Sequence, residues 1–187
     1  MKILCFGDSN TYGFDPRSYI GERYQAEFRW VDIVSMLSGR ETINAGENGR
    51  EIPHRHEEFS LYNRIYFSKN YDLNIIMLGG NDLMQGLSAI QVADRMEFFL
   101  SHLSVPAEKL LLIAPPEKKH GTWVTPQVIE QSSLLPALYK KLAMRLGIHF
   151  ADASEWDVEL AFDGVHFTEK GNICFAHKLN GLLNKIL

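Results

Sequence analysis

Apolar residues along this chain fall into short unbroken runs, separated by longer stretches in which they recur every three or four positions. The runs predict strands over Lys2 to Phe6, Glu41 to Ala45, Asp72 to Leu78, Leu110 to Ala114 and Ile148 to Phe150. The recurrent stretches predict helices. Trp30, Ile33, Val34 and Leu37 form one stripe, stopped by Gly39; Phe59, Tyr62, Ile65 and Tyr66 form a second; Val92, Met96, Phe99, Leu100 and Leu103 form a third. A fourth helix is expected over roughly Ser133 to Leu146, with Pro136 in its first turn and Gly147 beyond its end. The last follows Thr168, with Phe175, Leu179, Leu182 and Ile186 turned inward.

Strands that alternate with helices imply a parallel sheet covered on both faces. Leu73, Ile75, Ile76, Met77 and Leu78 read as one continuous apolar strand, as burial on both sides demands. Short connections and right-handed crossovers then give an α/β fold, a three-layer α/β/α sandwich around a five-stranded, parallel, doubly wound (flavodoxin-like) sheet. The chain has 187 residues and 45% hydrophobic content, enough for one well-buried core, so residues 1–187 are expected to form a single domain. No repeat, low-complexity tract or linker interrupts it.

Composition narrows the class of partner. A formal charge of −4 with scattered Lys and Arg offers no basic, aromatic-laced surface, so no nucleic acid is expected. Cys5 and Cys174 form neither a disulfide framework nor a metal-ligand spacing, and read as two buried thiols in a reducing compartment. The apolar run after Lys2 stops at Gly7, too short for a signal-peptide core, and no segment approaches a membrane span. The expectation is a soluble, cytoplasmic protein with no membrane partner.

Candidate chemistry sits where the strands end. The first strand breaks into Gly7-Asp8-Ser9-Asn10, the second ends at Gly46, the third at Gly79-Gly80-Asn81-Asp82, and Asp163-Gly164-Val165-His166 lies near the C-terminus. Gly, Asp, Ser and Asn are common turn residues, and any one of these clusters alone is an ordinary turn. In a parallel sheet, however, the carboxyl ends of all strands share one edge, so these sites converge. Together they contain the parts of an acyl-transfer centre. Ser9 is the candidate nucleophile, His166 the base that takes its proton, and Asp163 the carboxylate that orients the imidazole. The Ser9 and Gly46 backbone amides and the Asn81 side chain are candidate donors to an oxyanion.

These blocks resemble those of the SGNH/GDSL hydrolase superfamily, which carry Ser, Gly, Asn and His in that order. They are Phe6 to Gly13, Asn44-Ala45-Gly46, Gly79 to Asp82 and Asp163 to Thr168, and they span nearly the whole chain. The opening Leu4 to Ser9, the pair Arg29-Trp30 and the stretch Ile76 to Asp82 are most similar to the arylesterase and acyltransferase branch. The resemblance implies the three-layer fold already derived, and the same roles for Ser9, Gly46, Asn81, Asp163 and His166. It also implies a serine esterase acting on small carboxylic esters through an acyl-enzyme, with transfer of the acyl group to an alcohol as a variant. It calls for no cofactor. Some members of the family assemble into oligomers, which leaves a homo-oligomer open.

The remaining polar residues take structural readings. His54 and His56, with Glu57 and Glu58, belong to the solvated start of a helix, and no metal is assigned. His102, His120, His149 and His177 have no evident partner, and Asp82 is expected to cap the next helix or brace the Asn81 loop. Tyr12, Phe14, Tyr19, Tyr24 and Trp123 lie on loops expected to leave the catalytic edge, with Tyr12, Phe14 and Trp123 the candidate substrate contacts. Gly-x-Ser-x-Gly is absent, which argues against a nucleophile elbow. Two rival functions remain: a carbohydrate O-acetyl esterase using the same residues, and a flavodoxin-like FMN carrier cradling phosphate at Ser9, Asn10 and Thr11. The second leaves Asn81, Asp163 and His166 without a role.

Overall fold

The computed structural model describes residues 1–18 and 20–187, so Tyr19 lies outside the described residues. Five strands, β1 (Lys2–Gly7), β2 (Glu41–Gly46), β3 (Leu73–Met77), β4 (Leu110–Ala114) and β5 (His149–Asp152), form one parallel sheet in the order β2-β1-β3-β4-β5. This is the doubly wound arrangement expected from the alternation of elements. β3 and β4 are buried at every position, as is β1 beyond Lys2, which accounts for their apolar runs.

Side chains alternate across the sheet and divide the core into two. Ile3, Cys5, Ile75 and Ile113 pack against α2 (Trp30–Ser38) and α7 (Glu169–Ile186), through Trp30, Val34, Phe175 and Leu179. Leu4, Phe6, Ile76 and Leu112 pack against α3 (His56–Tyr62), α5 (Ala89–Ser101) and α6 (Pro126–Leu146), through Phe59, Val92, Phe99, Leu135 and Tyr139. Two further short helices, α1 (Ser9–Tyr12) and α4 (Gly80–Met84), follow β1 and β3 directly at the sheet's carboxyl edge.

Several local expectations are corrected. α6 begins at Pro126, with Thr125 Oγ1 accepting from the Val128 amide, so Pro126 and not Pro136 occupies the first turn. Pro136 lies inside the helix, where burial of Val128, Leu135, Tyr139 and Leu142 on one face offsets the backbone hydrogen bond that a proline removes. After Tyr62 the chain widens into a π-helical turn over Asn63–Phe67, which rotates Phe67 into the core and leaves Ile65 outside. Leu37 is exposed and Val31 takes its place in the α2 stripe, while Leu183 rather than Leu182 is the fully buried residue near the end of α7. β5 starts one residue late and runs to Asp152 because it pairs with β4 from Leu111 to Ala114. Cys5 is buried, but Cys174 is only half-buried, its Sγ donating to Trp156 O at 3.1 Å. Among the described residues, no helix is long and apolar enough to cross a membrane.

Candidate active site

Ser9 opens α1, immediately after the Asp8 cap whose Oδ1 accepts from the Asn10 amide at 2.9 Å. Its hydroxyl lies 2.9 Å from His166 Nε2, and His166 Nδ1 lies 2.7 Å from Asp163 Oδ2. All three side chains are buried. Asp163 can only accept at that contact, so Nδ1 carries the imidazole proton and Nε2 is free to accept from Ser9. Asp163 Oδ1 also receives the Val165 and His166 amides, at 2.8 and 3.0 Å. Burial alone would raise the Asp163 pKa, but the hydrogen bonds from the His166 ring and these two amides outweigh it and hold the carboxyl below its usual range. The spacing of Asp163 and His166 thus closes a tight turn in which the carboxylate binds the ring and the backbone that carries it.

Asn10, which the sequence offered only as a phosphate contact of the FMN alternative, locks this geometry. Its Oδ1 accepts from the Phe167 amide at 2.9 Å and its Nδ2 donates to Val165 O at 3.2 Å, one residue on either side of His166. Lys118 is a residue the sequence did not reveal. It is buried, with Nζ 3.4 Å from the same Val165 carbonyl. Burial lowers the Lys118 pKa and raises that of Asp8; the charges of Asp8 and Asp163 oppose the fall at Lys118, and Lys118 is in turn the largest influence opposing the rise at Asp8. A Cβ on Gly80 would stand 3.2 Å from Lys118 Nζ and 3.6 Å from Asp8 Oδ2, so the glycine makes room for these two buried side chains.

The expected oxyanion donors are placed unequally. Ser9 N–H makes no hydrogen bond among the described residues. Asn81 Nδ2 donates to Arg50 O at 2.9 Å, which leaves its second hydrogen unused. The expectation for Gly46 is corrected: its N–H donates to Asn44 Oδ1 at 2.9 Å, and Asn44 Nδ2 in turn holds Thr11 O at 2.8 Å. That amide is already committed. Its missing side chain serves packing, because a Cβ there would fall 2.1 Å from Tyr12 N. Gly49 presents the free donor instead. Its φ is +74°, its N–H has no partner among the described residues, and it directly precedes the Arg50 carbonyl held by Asn81. The Asn48-Gly49 pair is the signal that marks it in sequence, since it favours a turn with positive φ. Arg50 anchors this loop: its buried guanidinium donates to Gly7 O at 2.8 Å and to Ala45 O, and lies over the Phe6 ring.

The aromatic candidates separate into two groups. Phe14 and Trp123 flank the imidazole, with ring centroids 4.6 and 5.6 Å from that of His166. Tyr12 lies beneath the Arg23 guanidinium, and Tyr24 is buried with its hydroxyl donating to Phe167 O, so both hold loops together. Asp82 is fully buried and accepts from Ile52 N and Arg95 Nη1, both at 3.0 Å, which makes it a brace and not a cap. His54 Nδ1 faces Ile52 O, and His102 stacks on Phe59. Among the described residues, no three His, Cys, Asp or Glu side chains gather in a way that could hold a metal ion.

The arrangement can transfer a proton from a hydroxyl to an imidazole steadied by a carboxylate, beside backbone and amide donors able to stabilise developing negative charge. Comparison with known proteins agrees with that chemistry. The model of the GDSL-like lipase/acylhydrolase family matches residues 5–172. The native aryl esterase of M. smegmatis superposes with a TM-score of 0.87 at 24% identity, covering 100% of this chain and 99% of that one. A carbohydrate acetylesterase from Sinorhizobium meliloti gives 0.86, also at 24%, with the same coverage. A presumed arylesterase from Agrobacterium tumefaciens gives 0.82 at 30% identity, over 100% of this chain and 99% of that one.

Proposed function

This chain belongs to the GDSL-like lipase/acylhydrolase family, and from that premise we propose that it is a serine carboxylic ester hydrolase, with Ser9 as nucleophile, His166 as base and then acid, and Asp163 as the orienting carboxylate. The observation that carries the reading is the continuous chain from Ser9 Oγ through the imidazole to Asp163, at 2.9 and 2.7 Å. Ser9 attacks the ester carbonyl as His166 takes its proton. The tetrahedral oxyanion draws on Ser9 N–H, the free hydrogen of Asn81 Nδ2 and Gly49 N–H, the last replacing Gly46. His166 then returns the proton to the departing alcohol, leaving an acyl-enzyme that water, activated in the same way, hydrolyses. A different alcohol taking the place of water would give acyl transfer by the same step.

The phosphate-cradle alternative loses its support, because Ser9 and Asn10 are engaged with the His166 turn. The deciding experiment is hydrolysis of p-nitrophenyl esters from acetate to palmitate by the wild type and by Ser9→Ala. The variant should fold normally and lose at least about 10⁴-fold in kcat. Turnover retained by Ser9→Ala would overturn the assignment.

A further inference from the structure

The imidazole has two aromatic flanks, and they differ. On one side Phe14 is half-buried and tied back by its antiparallel bridge to Arg23. On the other, the Trp123 indole meets His166 edge-on, at an interplanar angle of 86°, while remaining 53% exposed. Trp123 N–H donates to Asp163 O at 3.4 Å, so its loop is attached to the carboxylate turn. Beyond the indole lies a cavity of about 290 Å³ between the end of α4 and the start of α6. Trp123 forms one wall of it.

In the esterase reading proposed above, on which this inference rests, His166 must hand its proton to the leaving oxygen. The alcohol half of the ester therefore lies alongside the imidazole. The Trp123 indole touches that imidazole and also lines the cavity, so it joins the two. No ionisable side chain lines the cavity. Its polar groups are the amides of Gln85, Gln127 and Gln131 and the Thr125 hydroxyl, set among apolar surface from Met84 and Leu87. Gln131 spends its Oε1 on the Ala89 amide at 2.8 Å, whereas the Gln85 and Gln127 side chains have no hydrogen-bond partner among the described residues. By contrast, the cavity at Gly49 is lined with Glu47, Arg50, Glu51, Arg55 and Glu58.

The geometry points to the Trp123 cavity as the subsite for the leaving alcohol, and to a neutral, polyhydroxylated alcohol, a sugar, as its occupant. A charged alcohol would find no counter-ion there. A long alkyl alcohol would desolvate three amides without replacing their hydrogen bonds. A sugar ring presents a flat C–H face to the indole and vicinal hydroxyls to carboxamides, each of which supplies both a donor and an acceptor.

The test holds the acyl group constant and varies the alcohol. Initial kcat/KM is measured on a mono-acetylated sugar whose other hydroxyls are free, 6-O-acetyl-D-glucose, and on phenyl acetate, for the wild type, Gln127→Leu, Gln85→Leu and the Ser9→Ala control. Both glutamines are exposed, so their replacement does not threaten folding. The ratio of sugar acetate to aryl acetate activity should fall about 3- to 10-fold in each leucine variant, the value of one neutral hydrogen bond. An unchanged ratio in both variants overturns the subsite, as does a wild type that cleaves phenyl acetate but no sugar acetate. In either case, loss of phenyl acetate activity in Ser9→Ala leaves the esterase reading intact. Cleavage of neither acetate by the wild type removes the esterase reading and the subsite with it.

Discussion

At Asn10, a single side chain spans the two loops that must meet for Ser9 to touch His166. Its two hydrogen bonds, to Phe167 N and Val165 O, bracket His166 in sequence, while its own carbonyl accepts from Trp30 Nε1 at 2.9 Å. Asn10→Ala should lower kcat by about 10- to 100-fold with little change in KM, since sub-ångström misplacement of a base is felt in the chemical step. Two buried hydrogen bonds are also lost, at about 1 kcal/mol each in stability. Steady-state kinetics with p-nitrophenyl acetate and urea melts separate the effects. A raised KM at normal kcat would show that Asn10 contacts substrate and does not position the base. Ser9, Asn81, Asp163 and His166 were legible in the sequence because each is a reactive residue at the end of an apolar run or near the terminus. Gly49, Lys118 and the positioning role of Asn10 were not, because their importance lies in where a hydrogen bond points. Only the fold sets that.

At the scale of elements, the site depends on how closely α1 lies on the end of β2. Gly46 permits that approach, and Asn44 stitches the two by binding Gly46 N and Thr11 O. Gly46→Ala forces its Cβ against the Tyr12 backbone, so α1 and its serine must move. Overpacking of this kind costs about 1–3 kcal/mol. We expect a lowered urea midpoint together with a loss of kcat, measured on the same preparation. Wild-type stability and kcat together would show that the close approach of α1 to β2 tolerates the added carbon. The repeating stripes identified most helices, but their limits were decided by packing. Thr125-Pro126 and Leu135-Pro136 both place a proline where a helix could begin, and only burial of the whole Val128 to Leu142 face selects the first. Likewise, the π-helical turn that brings Phe67 inward has no signature in a 3.6-residue stripe.

For the whole molecule, the order β2-β1-β3-β4-β5 brings residues from both ends of the chain to one edge of the sheet. Ser9 follows β1, next to the central strand, Gly49 follows β2, Asn81 follows the central strand β3, and the Asp163–His166 turn precedes α7, which packs on α2. This convergence was readable from the alternation of elements alone, because a parallel sheet leaves its strand ends no other place to go. The two half-cores share β1, β3 and β4, with alternate residues of each strand facing opposite helical layers. Neither layer can leave without exposing the strands that the other needs buried. If residues 1–187 form a single domain, as we infer, urea should unfold them in one transition, with far-UV circular dichroism, tryptophan fluorescence and esterase activity lost together. The three tryptophans report on separate regions: Trp30 and Trp156 on the α2–α7 side, Trp123 on the catalytic loop. Activity that disappears well before the circular dichroism signal would mean that the Asp163–His166 turn can detach while the sheet survives. The Asn10 and Lys118 contacts to Val165 O would then be too weak to couple the turn to the sheet.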